Sequence, residues 1–203
     1  MRRARCGGGR LLTAPVFARR RCAGYVPRGA NPDDSVEISL DLDQNGCTPE
    51  ARKALHEAGL VEDEAAQGTV LGPFRLFAAG LSPGLVSVHR LALLRTPAEL
   101  ERAAAARSGQ PVSAANEARV RAALTAACEV RLAALPPWGS DKEERITLLE
   151  AISPGERSDA EERSLTMLRL VSHARALLQQ NVELFAAMEQ EALAVLGGGH
   201  HEL

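Results

Sequence analysis

The chain has 203 residues, of which 45% are apolar and only 3% are aromatic. A chain of this length buries one main hydrophobic core. Ala and Leu, which lose little entropy in a helix, are abundant, whereas the aromatic side chains that strands favour are scarce. The composition therefore indicates a mainly helical protein, and the sequence contains no run of about 18 apolar residues that could span a bilayer.

The formal net charge of −2 conceals an uneven distribution of charge. Residues 1–32 contain eight Arg and no acidic residue, so the rest of the chain holds 16 basic and 26 acidic side chains, a net charge of −10. This acidic body disfavours binding to a nucleic-acid backbone, which requires clustered Lys and Arg. It suits a basic protein tail as a partner, although an acidic surface that only maintains solubility explains the same balance.

Cysteine and histidine spacing predicts no metal site. The chain has four cysteines, and no two of them form a CxxC pair: Cys6, Cys22, Cys47 and Cys128. Scattered cysteines without a signal peptide indicate free thiols in a reducing compartment. His200 and His201 lack the spaced Cys or His partners that zinc requires.

One short motif resembles a catalytic signature. Residues Gly80–Gly84 match the GxSxG outline of a hydrolase nucleophile elbow, in which the residue after Ser donates its N–H to the oxyanion hole. Pro83 follows Ser82 and has no N–H, so we interpret the motif as a turn before a helix. The chain contains no HExxH motif, and its carboxylates alternate with Arg as on solvated helix faces. We therefore expect no catalytic residue.

The N-terminal residues differ in composition from the rest. The first 30 residues are rich in Arg, Gly and Ala and lack acidic residues, as organelle transit peptides do, but they also lack the usual Ser content. A mis-assigned start, with upstream coding sequence lost, explains the same composition. Both explanations remain open.

The pattern after this leader predicts a short strand and then helices. Apolar residues alternate from Val36 to Leu42, which is typical of a strand with one buried face. Thr48 as N-cap with Pro49 begins a helix that Gly59 can end. Three residues are expected on the inner side of this helix: Leu55, Ala58 and Leu60. A second extended segment is predicted around Phe74 and Leu76.

Three more helices are predicted in the middle of the chain. One follows Pro83, and another begins at Thr96-Pro97 and runs to Arg107. Ser113 is expected to cap a longer helix over Ala114 to Leu135. Its apolar spacing places Val120, Leu124, Ala127, Cys128, Val130, Arg131 and Leu135 inward, and leaves Glu117, Arg121 and Glu129 outward.

The C-terminal part predicts a short helix and a very long one. Ser140 with Glu143 forms a capping-box pattern for a helix that ends near Ile152, and Ser158 with Glu161 repeats the pattern. Asp159 to Leu196 contains no Pro or Gly, so it reads as one long helix or two abutting ones. The predicted fold class is mainly α, a multi-helix bundle with a long C-terminal helix and a short N-terminal strand region.

Several motifs resemble one known family in their order and spacing. Residues 24–40 are similar to the chain that leaves the SET domain in the Rubisco large-subunit methyltransferase and actin-histidine methyltransferase group. Further motifs match the C-terminal domain of that group: Lys53, Leu55 and Gly59-Leu60, then Phe74-Arg75-Leu76, then Leu81, Pro83 and Leu85, then Pro111–Glu117 (P-V-S-A-A-N-E), then Asp141–Glu144 (D-K-E-E). The resemblance covers about residues 23–195.

The resemblance implies a division of the chain. Residues 1–22 would be a transit-like or disordered leader, 23–44 the remnant of a SET domain, 45–196 the helical substrate-binding domain, and 197–203 a flexible tail. In this family the SET lobe binds S-adenosylmethionine and methylates lysine or, in one branch, histidine, while the helical domain helps to hold the target protein. The implied fold is the Rubisco methyltransferase substrate-binding bundle.

The same resemblance implies a cofactor and a partner. The cofactor-binding glycines and the catalytic tyrosine of the family lie upstream of this sequence, so the chain alone is expected to bind no cofactor and to be inactive. Tyr25 matches an aromatic residue that packs on the adenine ring in relatives, and an ordinary packed or leader residue is the alternative. The expected partner of a monomeric chain is a protein substrate, the Rubisco large subunit or another lysine-bearing protein, with no nucleic acid and no membrane.

Two questions stay open at this point. The family's link to Rubisco implies a chloroplast location, with the cytoplasm as the alternative. A free-standing helical adaptor that accepts a partner peptide is the second functional hypothesis, and a complete methyltransferase whose catalytic half is missing from this sequence is the third.

Overall fold

A computed structural model describes residues 35–63, 68–78, 80–82, 84–136, 139 and 141–198. The leader, Tyr25, Cys6, Cys22, His200 and His201 lie outside the described residues. The strands are β1 Ser35–Asp41, β2 Val70–Phe77 and β3 Gly80–Leu81. The helices are α1 Pro49–Glu57, α2 Leu85–Ala92, α3 Pro97–Glu101, α4 Ala103–Arg107, α5 Ala114–Ala134, α6 Lys142–Ala151 and α7 Asp159–Gly198.

The three strands form a small antiparallel sheet in the order β1-β2-β3. Val36, Ile38 and Leu40 face the core and are 9% or less exposed, as the alternating pattern predicts. The register shifts between Ile38 and Leu40, opposite Gly72. Gly72 has φ +122, and a Cβ there would lie 3.2 Å from the carbonyl oxygen of Ile38. Only glycine fits this position without strain.

Helix α1 begins and ends as the sequence predicts. The N–H of Ala51 donates to Thr48 Oγ1 at 3.1 Å, and Gly59 adopts φ +69 after the last turn. Leu55 is fully buried, but Leu60 is 39% exposed, so the prediction that Leu60 faces inward is wrong. The helix ends at Glu57, and helical spacing therefore does not extend to Leu60.

We expect Thr48→Ala to lower the free energy of unfolding by about 1 kcal/mol, because an N-terminal N–H of α1 loses its acceptor. Thr48 Oγ1 also donates to the carbonyl of Leu94, which ties α1 to the end of α2. Urea denaturation followed by circular dichroism measures the change. Thr48→Ser is the control, because it keeps the hydroxyl, and an equal loss in both variants would contradict the capping explanation.

The segment after Thr96 forms two short helices where the sequence predicts one. Glu99 and Thr96 form a capping box at the start of α3, as the helix start at Thr96-Pro97 suggests. Arg102 then leaves the helical conformation with φ −95 and ψ 13. Its guanidinium donates to the carbonyls of Pro111 (2.9 Å) and Val112. The prediction of one continuous helix to Arg107 is therefore wrong at Arg102. The sequence pattern within the helix contains no information on the contacts that Arg102 makes with Pro111 and Val112.

Helix α7 is one continuous helix of 40 residues. It begins with a capping box, in which the N–H of Glu161 donates to Ser158 Oγ (3.3 Å) and the N–H of Ser158 donates to Glu161 Oε2 (2.8 Å). For α6, by contrast, Asp141 occupies the N-cap position without a side-chain capping hydrogen bond. Ser140, which the sequence predicts as the cap, lies outside the described residues.

The buried side of α7 joins the other layers of the fold. Leu178 and Phe185 are 0% and 1% exposed, and the helix makes its most extensive contact with α5. Asn181 Nδ2 donates to the carbonyl of Phe77 at 3.3 Å, so α7 also holds the end of β2. The predicted fold class, a mainly α bundle with a long C-terminal helix and a short strand region, is confirmed. None of the helices in the described part of the chain has the length and hydropathy needed to cross a bilayer.

Candidate protein-binding cleft

A buried ion pair fixes α5 against α2. Arg90 Nε donates to Glu117 Oε1 at 2.8 Å and Arg90 Nη2 donates to Glu117 Oε2 at 2.7 Å, with the two side chains 8% and 3% exposed. The prediction that Glu117 faces outward is therefore wrong. The spacing of apolar residues along α5 cannot reveal an Arg partner on another helix. A paired and hydrogen-bonded carboxylate can be buried where an isolated one cannot.

Besides Glu117, other residues of the P-V-S-A-A-N-E motif make structural contacts. The N–H of Asn116 donates to Ser113 Oγ at 3.0 Å, so Ser113 caps α5 as predicted. Asn116 Nδ2 donates to the carbonyls of Arg90 (3.1 Å) and Leu93 (3.0 Å), which lie at the C-terminal end of α2. These carbonyls have no partner within their own helix. The motif therefore sets the position of α5 rather than forming a reactive site.

Glu99 adds a second ion pair to this junction. Both of its carboxylate oxygens lie 2.6 Å from Arg119 Nη2 of α5, and its side chain is 5% exposed. Burial alone would raise the pKa of Glu99, but hydrogen bonds from the Ser113 hydroxyl and the Arg95 N–H, together with the Arg119 charge, hold it below its usual value. Glu99 is therefore an ionised structural group.

The anchored helix leaves a cleft of about 450 Å³ between α5 and β1. The sheet side of the cleft includes Glu37, Ser39 and Asp41. The helix side is a row of small apolar residues: Ala123, Ala126, Ala127 and Val130. Val130 is 68% exposed, so the prediction that it faces inward is wrong. It borders the cleft instead of the core.

The charged groups that line the cleft are two carboxylates, Glu37 and Asp41, and one guanidinium, Arg131. Glu37 Oε1 lies 3.5 Å from Arg75 Nε, yet this buried oxygen accepts no hydrogen bond. Asp41 Oδ1 accepts from the N–H groups of Asp43 and Gln44, both at 2.9 Å, and so shapes the turn after β1. Arg131 is the one cationic residue among those lining the cleft. The cleft can therefore accept a polypeptide segment that carries a positive charge.

The turn after β1 has the spacing of half a calcium loop. Asp41, Asp43, Asn45 and Gly46 match the first six positions of such a loop, D-x-[DN]-x-[DN]-G. The twelfth position, where the loop requires a bidentate Glu, is Arg52, and its guanidinium pairs with Asp43 Oδ1. The protein's own cation therefore neutralises this turn. Across the described ranges, no group of three or more His, Cys, Asp or Glu residues is placed to hold a metal ion.

His89 is a buried titratable residue behind the sheet. It is 0% exposed, its Nδ1–H donates to the carbonyl of Leu85 at 2.7 Å, and its ring lies 5.5 Å from that of Phe74. Its Nε2 has no hydrogen-bond partner. Burial lowers the pKa of His89 to about 4, against the opposing effect of the Leu85 hydrogen bond. His89 is therefore a neutral core residue.

Acidification should destabilise the fold through His89. The pKa of His89 in the folded state, about 4, lies below the ordinary value of 6.5 for a His side chain, so the unfolded state binds the proton more tightly. Neutral His89 therefore contributes to the free energy of unfolding. This contribution is fully present above pH 6.5 and is lost as the pH falls towards 4, by about 3 kcal/mol in total. Urea denaturation between pH 7 and 4 measures this, with His89→Leu as the comparison. Equal pH slopes for the two proteins would contradict the prediction.

The other residues singled out by sequence have structural roles or lie outside the described part of the chain. The GxSxG match begins in strand β3, Gly80–Leu81, which the turn prediction did not include, and Ser82 bonds back to Arg75 of β2: the N–H of Arg75 donates to Ser82 Oγ at 3.1 Å and the N–H of Ser82 donates to the Arg75 carbonyl at 2.9 Å. Helix α2 follows at Leu85, as predicted, and Pro83 lies outside the described residues. Cys47 and Cys128 are free thiols, and burial raises the pKa of Cys128 to about 11, which keeps it unreactive. Tyr25, the candidate adenine contact, is not among the described residues.

Sequence reasoning missed the cleft, although part of its signal was visible. The alternation that buries Val36 and Ile38 necessarily places Glu37, Ser39 and Asp41 on the opposite side of β1. The sequence pattern of β1 does not show which helix packs next to these three residues. The missing information is the long-range contact between α5 and the strand.

The chain matches one family model and several solved structures. Residues 44–171 match the model described as Rubisco LSMT substrate-binding. A structure of Rubisco LSMT bound to sinefungin and monomethyllysine is similar at a TM-score of 0.59 and 19% identity, covering 89% of this chain and 40% of that one. A structure of Rubisco LSMT bound to AdoMet is similar at a TM-score of 0.55 and 20% identity, covering 84% and 37%. At this identity the likeness shows a shared fold, and the chain spans about two fifths of those proteins. No curated protein matches the chain.

Proposed function

Because the chain belongs to the Rubisco LSMT substrate-binding family, we propose that it holds a protein substrate for a SET-type protein-lysine N-methyltransferase. The observation that carries this proposal is the cleft between β1 and α5, which is lined by two carboxylates, one Arg and a row of small residues on the helix side. A lysine-bearing segment complements such a surface in charge and shape. The partner is the Rubisco large subunit or another protein with an accessible lysine, and the chain acts as a monomer.

The chemistry belongs to the full-length enzyme in this proposal. A SET lobe would supply the S-adenosylmethionine pocket, and this chain would supply affinity and orientation, which lower the entropic cost of bringing the amine to the methyl donor. In this proposal residues 45–196 are the substrate-binding domain, and residues 23–44 are the end of the SET domain, with Tyr25 as an adenine contact and with β1 contributing one wall of the cleft. Residues 1–22 are a leader and residues 197–203 a tail. The chloroplast is the proposed location, consistent with Rubisco as the partner.

Isothermal titration calorimetry of the 203-residue chain with S-adenosylmethionine tests whether the cofactor pocket lies in the SET lobe rather than in this chain. We expect no heat of binding at ligand concentrations up to the millimolar range, because the proposal assigns the cofactor pocket to sequence outside this chain. Sinefungin, which occupies a related full-length enzyme, serves as a second probe. A micromolar dissociation constant for either compound would show that this chain contains a cofactor site. It would contradict the assignment of the cofactor pocket to the SET lobe.

Direct binding to the Rubisco holoenzyme tests the partner. Immobilised Rubisco and a panel of unrelated acidic and basic proteins are compared by biolayer interferometry with the full chain in solution. Saturable binding to Rubisco that weakens with added salt supports the proposal, since a cleft with net negative charge attracts a basic segment. The adaptor hypothesis instead predicts no preference for a methylatable protein.

A further inference from the structure

The outer strand of the sheet has an unpaired edge. Along β1 the backbone N–H and C=O groups of successive residues point alternately to the two edges of the strand. The N–H of Leu42, which continues the strand, donates to Thr69 at 3.0 Å, so the even-numbered residues of β1 bond towards β2. The backbone groups of Glu37 and Ser39 therefore point away from β2. Among the described residues no strand pairs with this side.

The cleft borders this edge strand. Glu37, Ile38 and Ser39 of β1, with Pro73 of β2, line one side of it, and Ala126 and Ala127 of α5 line the other. A strand edge with space beside it is a template for an added strand. The Ala wall leaves room for the side chains of such a strand, whereas larger residues would fill the space.

The charges of the cleft select among possible occupants. Glu37 Oε1 accepts no hydrogen bond, although its cross-strand partner Arg75 places Nε 3.5 Å away, and Asp41 lies four residues further along the same face of β1. If a strand pairs with β1, every second side chain of that strand lies on the same face of the sheet as Glu37 and Asp41. The spacing of these side chains then matches the spacing of the two carboxylates. Lys or Arg at alternate positions would donate the hydrogen bond that Glu37 Oε1 lacks and would pair with Asp41.

We infer that the cleft binds an extended, basic segment of the substrate by strand addition to β1, with alternate Lys or Arg side chains towards Glu37 and Asp41. This inference rests on the proposed function and specifies how the substrate is held. The intervening side chains of the segment are small and apolar and pack on Ala126 and Val130. Main-chain hydrogen bonds to Glu37 and Ser39 give affinity, and the carboxylates give selectivity.

A peptide probe tests the binding mode without the substrate being known. A fluorescein-labelled Lys-Val-Lys-Val-Lys-Val peptide is titrated with the full chain at low salt, and fluorescence anisotropy is recorded. Two N-methylated versions carry the methyl groups on alternate sets of residues. Strand addition predicts that one version loses affinity by at least about tenfold while the other retains it, because only one set of N–H groups faces β1. Equal affinity of the two versions overturns the inference.

Two protein variants test the cleft itself. Glu37→Gln should weaken binding by about tenfold, and Ala126→Phe should weaken it more, because the ring occupies the cleft. The matched controls are Glu57→Gln, exposed at the end of α1, and Ala133→Phe, exposed on α5 outside the cleft. Both controls should bind as the unmodified chain does. Circular dichroism melts confirm that every variant is folded.

The outcomes separate this inference from the proposed function. If Ala126→Phe abolishes binding of the peptide and of Rubisco, the cleft is the substrate site. If Rubisco binds equally well to Ala126→Phe and to the unmodified chain, the strand-addition inference is wrong while the proposed function stands. If neither Rubisco nor the peptide binds the unmodified chain, both proposals fail.

Discussion

Glu117→Ala is expected to lower the free energy of unfolding by about 3–5 kcal/mol. The substitution leaves the Arg90 guanidinium 8% exposed and without its bidentate partner, and an uncompensated buried charge is costly. It also removes the acceptor of the Val112 N–H, which donates to Glu117 Oε1 at 3.3 Å. Urea denaturation monitored by circular dichroism gives the change.

Two further variants show whether the lost charge or the lost packing causes the decrease in stability of Glu117→Ala. Glu129→Ala removes a carboxylate from the exposed side of the same helix, and it should change stability by about 0.5 kcal/mol or less. The double variant Arg90→Met, Glu117→Leu replaces the pair with apolar groups and should recover most of the loss. A single Glu117→Ala variant as stable as Glu129→Ala would show that the ion pair does not anchor α5.

Leu178→Ala is expected to cost about 2–5 kcal/mol, because it opens a cavity where α7 packs against the rest of the core. Leu178 is 0% exposed and belongs to the cluster that includes Leu177 and Phe185. A 40-residue helix gains its stability from such tertiary contacts rather than from local propensity. Thermal and urea denaturation both measure the loss.

Leu193→Ala is the matched control on the same helix. Leu193 is 39% exposed, so its truncation should cost about 1 kcal/mol or less. The two substitutions delete the same atoms from the same helix and differ chiefly in burial. Similar losses at both positions would contradict the assignment of Leu178 to the core and of α7 to the role of central helix.

The features that the sequence predicts well are those that local chemistry determines. Thr48, Ser113 and Ser158 each accept a backbone N–H at a helix start, because a capping hydroxyl acts within three residues of its own position. The strand alternation at Val36 and Ile38 is equally local. Such signals identify elements and their ends without knowledge of the tertiary structure.

The features that it does not predict depend on distant partners. Glu117 is buried because Arg90, 27 residues away in sequence, reaches it. At Arg102, where α3 ends, the guanidinium donates to the carbonyls of Pro111 and Val112, and neither contact has a periodic signal. Val130 continues the helical spacing of the core, but its side chain is exposed and borders the cleft.

The candidate site combines both kinds of information. Alternation along β1 already places Glu37 and Asp41 on one side of the strand, and the family motif at Pro111–Glu117 already marks the start of α5. The cleft exists only because Asn116 and the Arg90–Glu117 pair hold that helix beside the strand. Those contacts involve α2, and no pattern within β1 or α5 alone contains them.

Competition with a full-length relative tests the central claim most directly. Rubisco LSMT methylates Rubisco in the presence of S-adenosylmethionine, and the 203-residue chain is added in increasing amounts. If the chain holds the same substrate, it should inhibit competitively towards Rubisco and leave the KM for S-adenosylmethionine unchanged. Methylation rates that do not respond to a large excess of the chain would contradict its role as a substrate-holding region.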